Sequence, residues 1–166
     1  MTLAEAGVKA QELAEAGDER SLAGLRGEWA DEIEGLARSH DYRERAVAYR
    51  AVGQFRFRQK LELLRRGLDD VSPACRGSAL VSLELLSRGA PAGVNAMRSI
   101  LHRLANADDN QAVRRLAVVC LRNGSAHRDT IALLAGIAED DRQERALQDA
   151  AARAAAALKK KAVQQR

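Results

Sequence analysis

Two segments of this chain are copies of one another. Asp108 to Gly124 reads DDNQAVRRLAVVCLRNG, and Asp69 to Gly89 reads DDVSPACRGSALVSLELLSRG. Each is a pair of aspartates, a short turn and an arginine that opens an apolar helix ending at a glycine. With Arg114 laid on Arg76, Ala117 falls on Ala79, Val118 on Leu80 and Leu121 on Leu83. Helical repeats of this length are too thin to bury their own apolar faces, so neighbours stack and share one continuous core. The predicted fold class is all-α, an α-solenoid of about four helical hairpins with a leading N-terminal helix. At 166 residues the chain is long enough for one domain over 1–166, with 1–17 as an N-terminal cap helix and 159–166 as a basic tail.

Aromatics are only 3% of the residues, so the core must be built from Leu, Ala, Val and Ile, which suits closely packed helices. Cys75 and Cys120 have no CxxC partner and read as small buried hydrophobes rather than a zinc or redox pair. Glu5, Glu12 and Glu15 interrupt any apolar leader, and no run approaches the roughly 18 apolar residues of a membrane span. The expectation is a cytoplasmic protein with no membrane contact.

The helix signals follow in order. Thr2 with Glu5 forms a capping box, with a stop at Gly17. Leu22, Leu25, Trp29, Ile33 and Leu36 share one helical face, on a helix whose Gly24, Gly27 and Gly35 would suit a tight crossing. Asp41 with Glu44 forms a second box, starting a helix that ends at Gly53; Phe57, Leu61, Leu64 and Leu68 form the next inner stripe. Pro73 fixes the start of the helix carrying Arg76 to Ser87, and Pro91 restarts the chain before Val94, Met97, Leu101 and Leu104. Ser125 caps the helix with Ile131, Leu134 and Ala138. Asp141 with Glu144 opens a last, alanine-rich helix through Leu158, whose Lys159 to Lys161 complement its own dipole.

A turn aspartate followed by an arginine-led helix with alanine three residues later resembles the HEAT-repeat family of HEAT and armadillo-type solenoids. The match is good at Asp70 with Arg76 and at Asp109 with Arg114, and weaker in the first copy, where Asp41, Arg43 and Ala46 are the counterparts. In the last copy Leu147 stands where the arginine belongs. The resemblance covers about Ser21 to Leu158. It implies that Asp70, Arg76, Asp109 and Arg114 form a structural ladder between adjacent repeats, a charge-assisted pairing that holds register.

No catalytic constellation emerges. His40, His102 and His127 lie in different repeats without ligand-spaced partners, and Ser72, Ser78 and Ser82 lack an elbow pattern. The pairs Asp69/Asp70, Asp108/Asp109 and Asp140/Asp141 stand at helix starts, where carboxylates cap free amides. No cofactor or metal is expected.

The net charge of +4 is unevenly spread, since residues 1–39 are acidic while 41–66 and 141–166 are basic. In QFRFRQKLELLRR, residues 54–66, basic residues interleave with two phenylalanines, of which Phe57 reads as core and Phe55 as the freer ring. Taken as one helix, this stretch sets its arginines around the apolar stripe, the pattern of a solvated amphipathic helix.

The leading expectation is a non-enzymatic scaffold that binds a protein partner along the concave face formed by second helices. The alternative is binding of nucleic-acid backbone, or of another acidic partner, through Arg43, Arg45, Arg50, Arg56, Arg58, Lys60, Arg65 and Arg66. The HEAT-like alkyl-purine DNA glycosylases make that alternative concrete, although no catalytic aspartate maps onto this chain. Self-association through the acidic and basic segments is a third route.

Overall fold

A computed structural model describes all residues, 1–166. The chain is all-helical: ten α-helices, one 3-10 turn and no strand. It divides into two compact units, Met1–Leu86 and Ser87–Arg166.

The first unit holds α1 (Leu3–Glu15), α2 (Glu19–Leu36), α3 (Tyr42–Gln54), a 3-10 turn at Arg58–Lys60, α4 (Leu61–Leu68) and α5 (Pro73–Ser87) up to its last residue. α1 opens on the capping box: the Glu5 amide donates to Thr2 Oγ1 at 3.2 Å and the Thr2 amide to Glu5 Oε2 at 2.7 Å. Gly17, at φ +74°, supplies the left-handed turn that stops it. Asp18 caps α2, and Leu22, Leu25, Trp29 and Ile33 form its buried stripe. Ala37 completes that stripe in place of Leu36, which is only half-buried. α1 packs on α2 and α3, and α2 on α3.

The close helix crossing is elsewhere than at Gly24, Gly27 and Gly35, which face open space. It lies at Gly53, where an added Cβ would stand 2.7 Å from Ser82 Cα on α5. The Ser82 hydroxyl bridges two main-chain groups of α3, accepting from Gly53 N at 2.9 Å and donating to Tyr49 O at 2.5 Å. Because Gly27 lies mid-helix with nothing near its missing side chain, Gly27→Ala is expected to stabilise the chain by about 0.5–1 kcal/mol through helix propensity alone. Urea denaturation checks this. No change or a loss would mean that α2 needs the glycine for a contact absent from this structure.

Several local expectations give way. Asp41 caps α3, but Glu44 bonds the Ser39 hydroxyl, and that hydroxyl accepts from Asp41 N, so no reciprocal box forms. α3 runs past Gly53 to Gln54, and Arg56 follows at φ +55°. Residues 54–66 are therefore not one helix. The chain breaks at 55–57 because both phenylalanines turn inward: Phe55 is fully buried rather than free, and Phe57 is 7% exposed. Leu63 is buried where Leu61 is only half-buried.

The second unit holds α6 (Ala92–Ala96), α7 (Arg98–Ala107), α8 (Gln111–Leu121), α9 (Arg128–Glu139) and α10 (Arg145–Gln164). α7 packs on α8 and α9, and α10 on α8 and α9, around Val94, Met97, Leu101, Val118, Leu121, Leu134, Leu147 and Leu158. α9 is capped by His127, whose Nδ1 accepts from Asp129 N, and not by Ser125, which instead bonds Asn95. Ile131 and Ala138 are half-buried, and Ile137 joins Leu134 in the core. α10 starts without a side-chain cap, so the Asp141 and Glu144 box is absent. Its helix continues through most of 159–166. Lys161 reaches off α10 to donate to Arg122 O at 2.6 Å and Gly124 O at 3.1 Å, carbonyls just beyond the end of α8.

Candidate functional site

Four aspartates make the same turn. Asp41, Asp70, Asp108 and Asp140 each accept, through Oδ1, the amide of the residue two positions on. In the third turn the residue is Asp108 and not its neighbour Asp109. An arginine follows in the next helix and clamps carbonyls upstream of it. Arg45 Nη1 donates to Ser39 O and His40 O, and Arg76 Nη1 donates to Asp70 O and Val71 O. Arg114 Nε donates to Ala105 O at 2.9 Å. Three residues after each arginine stands a fully buried alanine: Ala48, Ala79 and Ala117. The first copy therefore aligns on Arg45 and Ala48, not on Arg43 and Ala46. The last aligns on Gln148 and Ala151, with Gln148 Nε2 donating to Asp140 O at 2.7 Å.

One rung is a direct ion pair. Arg45 grips Asp70 with two bonds, Nε to Oδ2 at 2.8 Å and Nη2 to Oδ1 at 3.0 Å. The two side chains are 15% and 7% exposed, so water screens them little. Burial alone would raise the Asp70 carboxyl, but Arg45 and the Ser72 amide outweigh it and hold it below the usual carboxylate range. The bond to Asp70 raises the Arg45 guanidinium in turn.

A second rung carries an inserted amide. Arg114, 6% exposed, donates Nη1 to Gln143 Oε1 at 2.7 Å, and Gln143 Nε2 donates to Asp140 Oδ2 at 3.0 Å. The turn carboxylate thus reaches the buried guanidinium through Gln143, leaving Arg114 Nη2 without a partner. Hydrogen bonds from Arg142 first, and then from Gln143, keep Asp140 ionised well below its ordinary value.

The eight basic residues grouped by sequence do not form one surface. Arg45 is consumed in the ladder. Arg43 folds onto Asp41, Arg65 onto Glu62, and Lys60 onto Glu34 at 2.7 Å, with its ammonium 5.2 Å from the Phe57 ring centre. Arg50 lies on α3, exposed and without an ion-pair partner. Arg56, Arg58 and Arg66 line grooves beside α2.

Two faces of the first unit are grooved. Between α2 and residues 57–66 runs a cleft of about 540 Å³, lined by Phe57, Leu63 and Ala30 and by side chains of both charges, among them Arg66, Glu34 and Glu62. On the α1, α3 and α5 face lies a shallower groove of about 320 Å³, lined by Ala4, Val8, Ala46, Val47, Gln54 and Ser78 beside Arg50. Val8 is 55% exposed there. Sequence reasoning missed Val8, Arg26 and Arg38 because each is a lone residue without a motif, the first two within helices and Arg38 in the turn after α2. Arg45 and Gln148 were within reach of the arginine-to-alanine spacing.

No group of three or more His, Cys, Asp or Glu side chains is placed to hold a metal. His102 Nε2 lies 2.8 Å from Thr130 Oγ1, and burial pushes its pKa down, so it serves as a neutral bridge between α7 and α9. Cys75 and Cys120 are both buried.

No protein-family model matches this chain, and no curated protein does. Among solved structures it is similar to the crystal structure of an engineered protein from the Northeast Structural Genomics Consortium, with a TM-score of 0.62 and 17% identity. That match covers 77% of this chain, which spans 61% of the other protein's length. At this identity the likeness is one of fold alone.

Proposed function

We propose that this chain is a HEAT-like helical-repeat module that binds a protein partner and carries out no chemistry of its own. The repeat reading rests on the recurring turn, clamp and alanine. On this reading the four turns join four hairpins, α2 with α3, α4 with α5, α7 with α8 and α9 with α10, and α1 precedes them. Helices two apart in the chain also pack, α1 on α3, α7 on α9 and α8 on α10, as stacking of similar hairpins requires.

The observation that carries the binding reading is the groove on the α1, α3 and α5 face. A shallow apolar trough with a half-exposed valine and an unpaired arginine suits a helix or extended segment that brings small apolar side chains and one carboxylate. Folding of the unit explains neither Val8 nor Arg50. The nucleic-acid reading is less well supported, since four of its eight cations are held by carboxylates and the other four are spread over three grooves, Arg50 on one, Arg56 and Arg58 on a second and Arg66 on a third.

Affinity capture with quantitative mass spectrometry tests this. A partner retained by the wild-type chain is expected to be lost from both Val8→Asp and Arg50→Glu, with helicity unchanged. Retention by both variants, or capture of nucleic acid alone in a salt-dependent manner, would refute it.

A further inference from the structure

We propose that the occupant of the groove on the α1, α3 and α5 face is a second copy of this chain, each copy laying its α1 against the other's α3 about a two-fold axis. The inference rests on reading that groove as a binding site, and it names the partner.

The two walls of the groove carry opposite charge. On α1, Ala4, Glu12 and Glu15 lie one and two turns from Val8 and share its face. All four side chains are exposed. Lys9, the one cation of α1, stands about 100° away around the helix. On α3 the outer stripe is Arg43, Ala46, Val47 and Arg50, with Arg43 turned onto Asp41 while Arg50 is exposed and unpaired. Each wall is thus apolar along part of its length and charged along the rest, α1 with carboxylates and α3 with a guanidinium. Gln54 lies across Gly7, where an added Cβ would run into its carboxamide, so the two walls form one continuous patch.

A helix with small apolar side chains and a carboxylate suits this groove, and the chain itself contains one. Three exposed valines lie in helices: Val8, Val119 and Val163. Val119 shares its face with Arg122 and Val163 with Lys159, cations that would repel Arg50. Val8 alone has a carboxylate one turn on, Glu12, which is exposed and paired with nothing in its own chain. Because the helix that is offered belongs to the same patch that receives it, the contact is isologous and closes at two copies. In it Val8 of each copy lies on Ala46 and Val47 of the other, and Glu12 meets Arg50.

Sedimentation equilibrium of the whole chain from about 10 µM to about 1 mM tests this, a span that covers weak association. The average mass is expected to rise with concentration from 18.0 kDa towards twice that value and to stop there. Val8→Asp, Arg50→Glu and Glu12→Arg each weaken association about tenfold or more, by placing a charge on the apolar part or opposing like charges. All three positions are exposed, so helicity is unchanged. An equal mixture of Arg50→Glu with Glu12→Arg regains association to within about threefold of wild type, because one ion pair forms as before and the other with its signs exchanged. A constant 18.0 kDa, single variants that associate like wild type, a mixture that stays monomeric, or a mass climbing past the dimer would overturn the inference. The reading of the groove itself falls on a different result, a captured partner that survives both Val8→Asp and Arg50→Glu.

Discussion

Replacing Asp70 with alanine lowers the stability of the first unit by about 3 kcal/mol, the lower end of the range for breaking a buried ion pair. The cost comes mainly from what remains. Arg45 keeps its bonds to Ser39 O and His40 O, but its Nε and Nη2 lose both carboxylate oxygens in a site where the side chain is 15% exposed. The Ser72 amide at the start of the next helix loses its acceptor as well. Arg43→Ala provides the contrast: its bond to Asp41 is similar in length, yet the side chain is 77% exposed, so its loss changes stability by less than about 0.5 kcal/mol. Urea denaturation of the two variants reads the difference, and equal stability would remove the ladder from the account.

The same pair gives a pH signature. The Asp70 carboxyl is held below its ordinary value in the folded chain, so on acidification the unfolded chain takes up the proton first. The contribution of Asp70 is full above about pH 4, the unfolded carboxyl value, and is lost as pH falls through the lower folded value. Wild type and Asp70→Asn should therefore differ most near neutrality and converge in acid. A gap that stays constant below about pH 3 would show that the charge of Asp70 is not what Arg45 requires.

Which of these features the sequence disclosed follows from how local each one is. Thr2, Glu5 and Gly17 delimit α1 by chemistry within a few residues, so its ends were legible. The buried face of α2 was legible from spacing, apart from Ala37 replacing Leu36. The break at 55–57 was not, because apolar spacing runs from Phe57 through Leu61, Leu64 and Leu68 as if one helix continued, and only tertiary burial of Phe55 turns the chain. The ladder was visible as a residue pattern, while its register in the first copy was not: Arg43 and Arg45 lie two positions apart, and only the position of Asp70 in the turn between α4 and α5 selects Arg45. Gln143 was illegible for a related reason, since an amide that relays a carboxylate to Arg114 has no motif. The grooves depend on which helices lie side by side, which no single segment encodes.

Gly53→Ala is expected to destabilise the first unit by about 2 kcal/mol, even though it replaces the poorer helix former in an α-helix. Helix propensity alone favours the substitution by about 1 kcal/mol, as it does at Gly27. The difference lies in what the new methyl would meet. At Gly27 it meets nothing within 4 Å; at Gly53 it stands 2.7 Å from both Cα and Oγ of Ser82 and 2.9 Å from its Cβ. A flexible side-chain end could rotate away, but the Cα of Ser82 belongs to α5 and moves only if the two helices part. Parting them also stretches the bonds that the fully buried Ser82 hydroxyl makes to Gly53 N and Tyr49 O. Ser82→Ala in the Gly53→Ala background should not restore stability, because the clash with Cα remains. If Gly53→Ala instead matches the gain expected at Gly27, α3 and α5 do not approach as closely as this structure has them, and the face shared by α1, α3 and α5 loses its geometric basis.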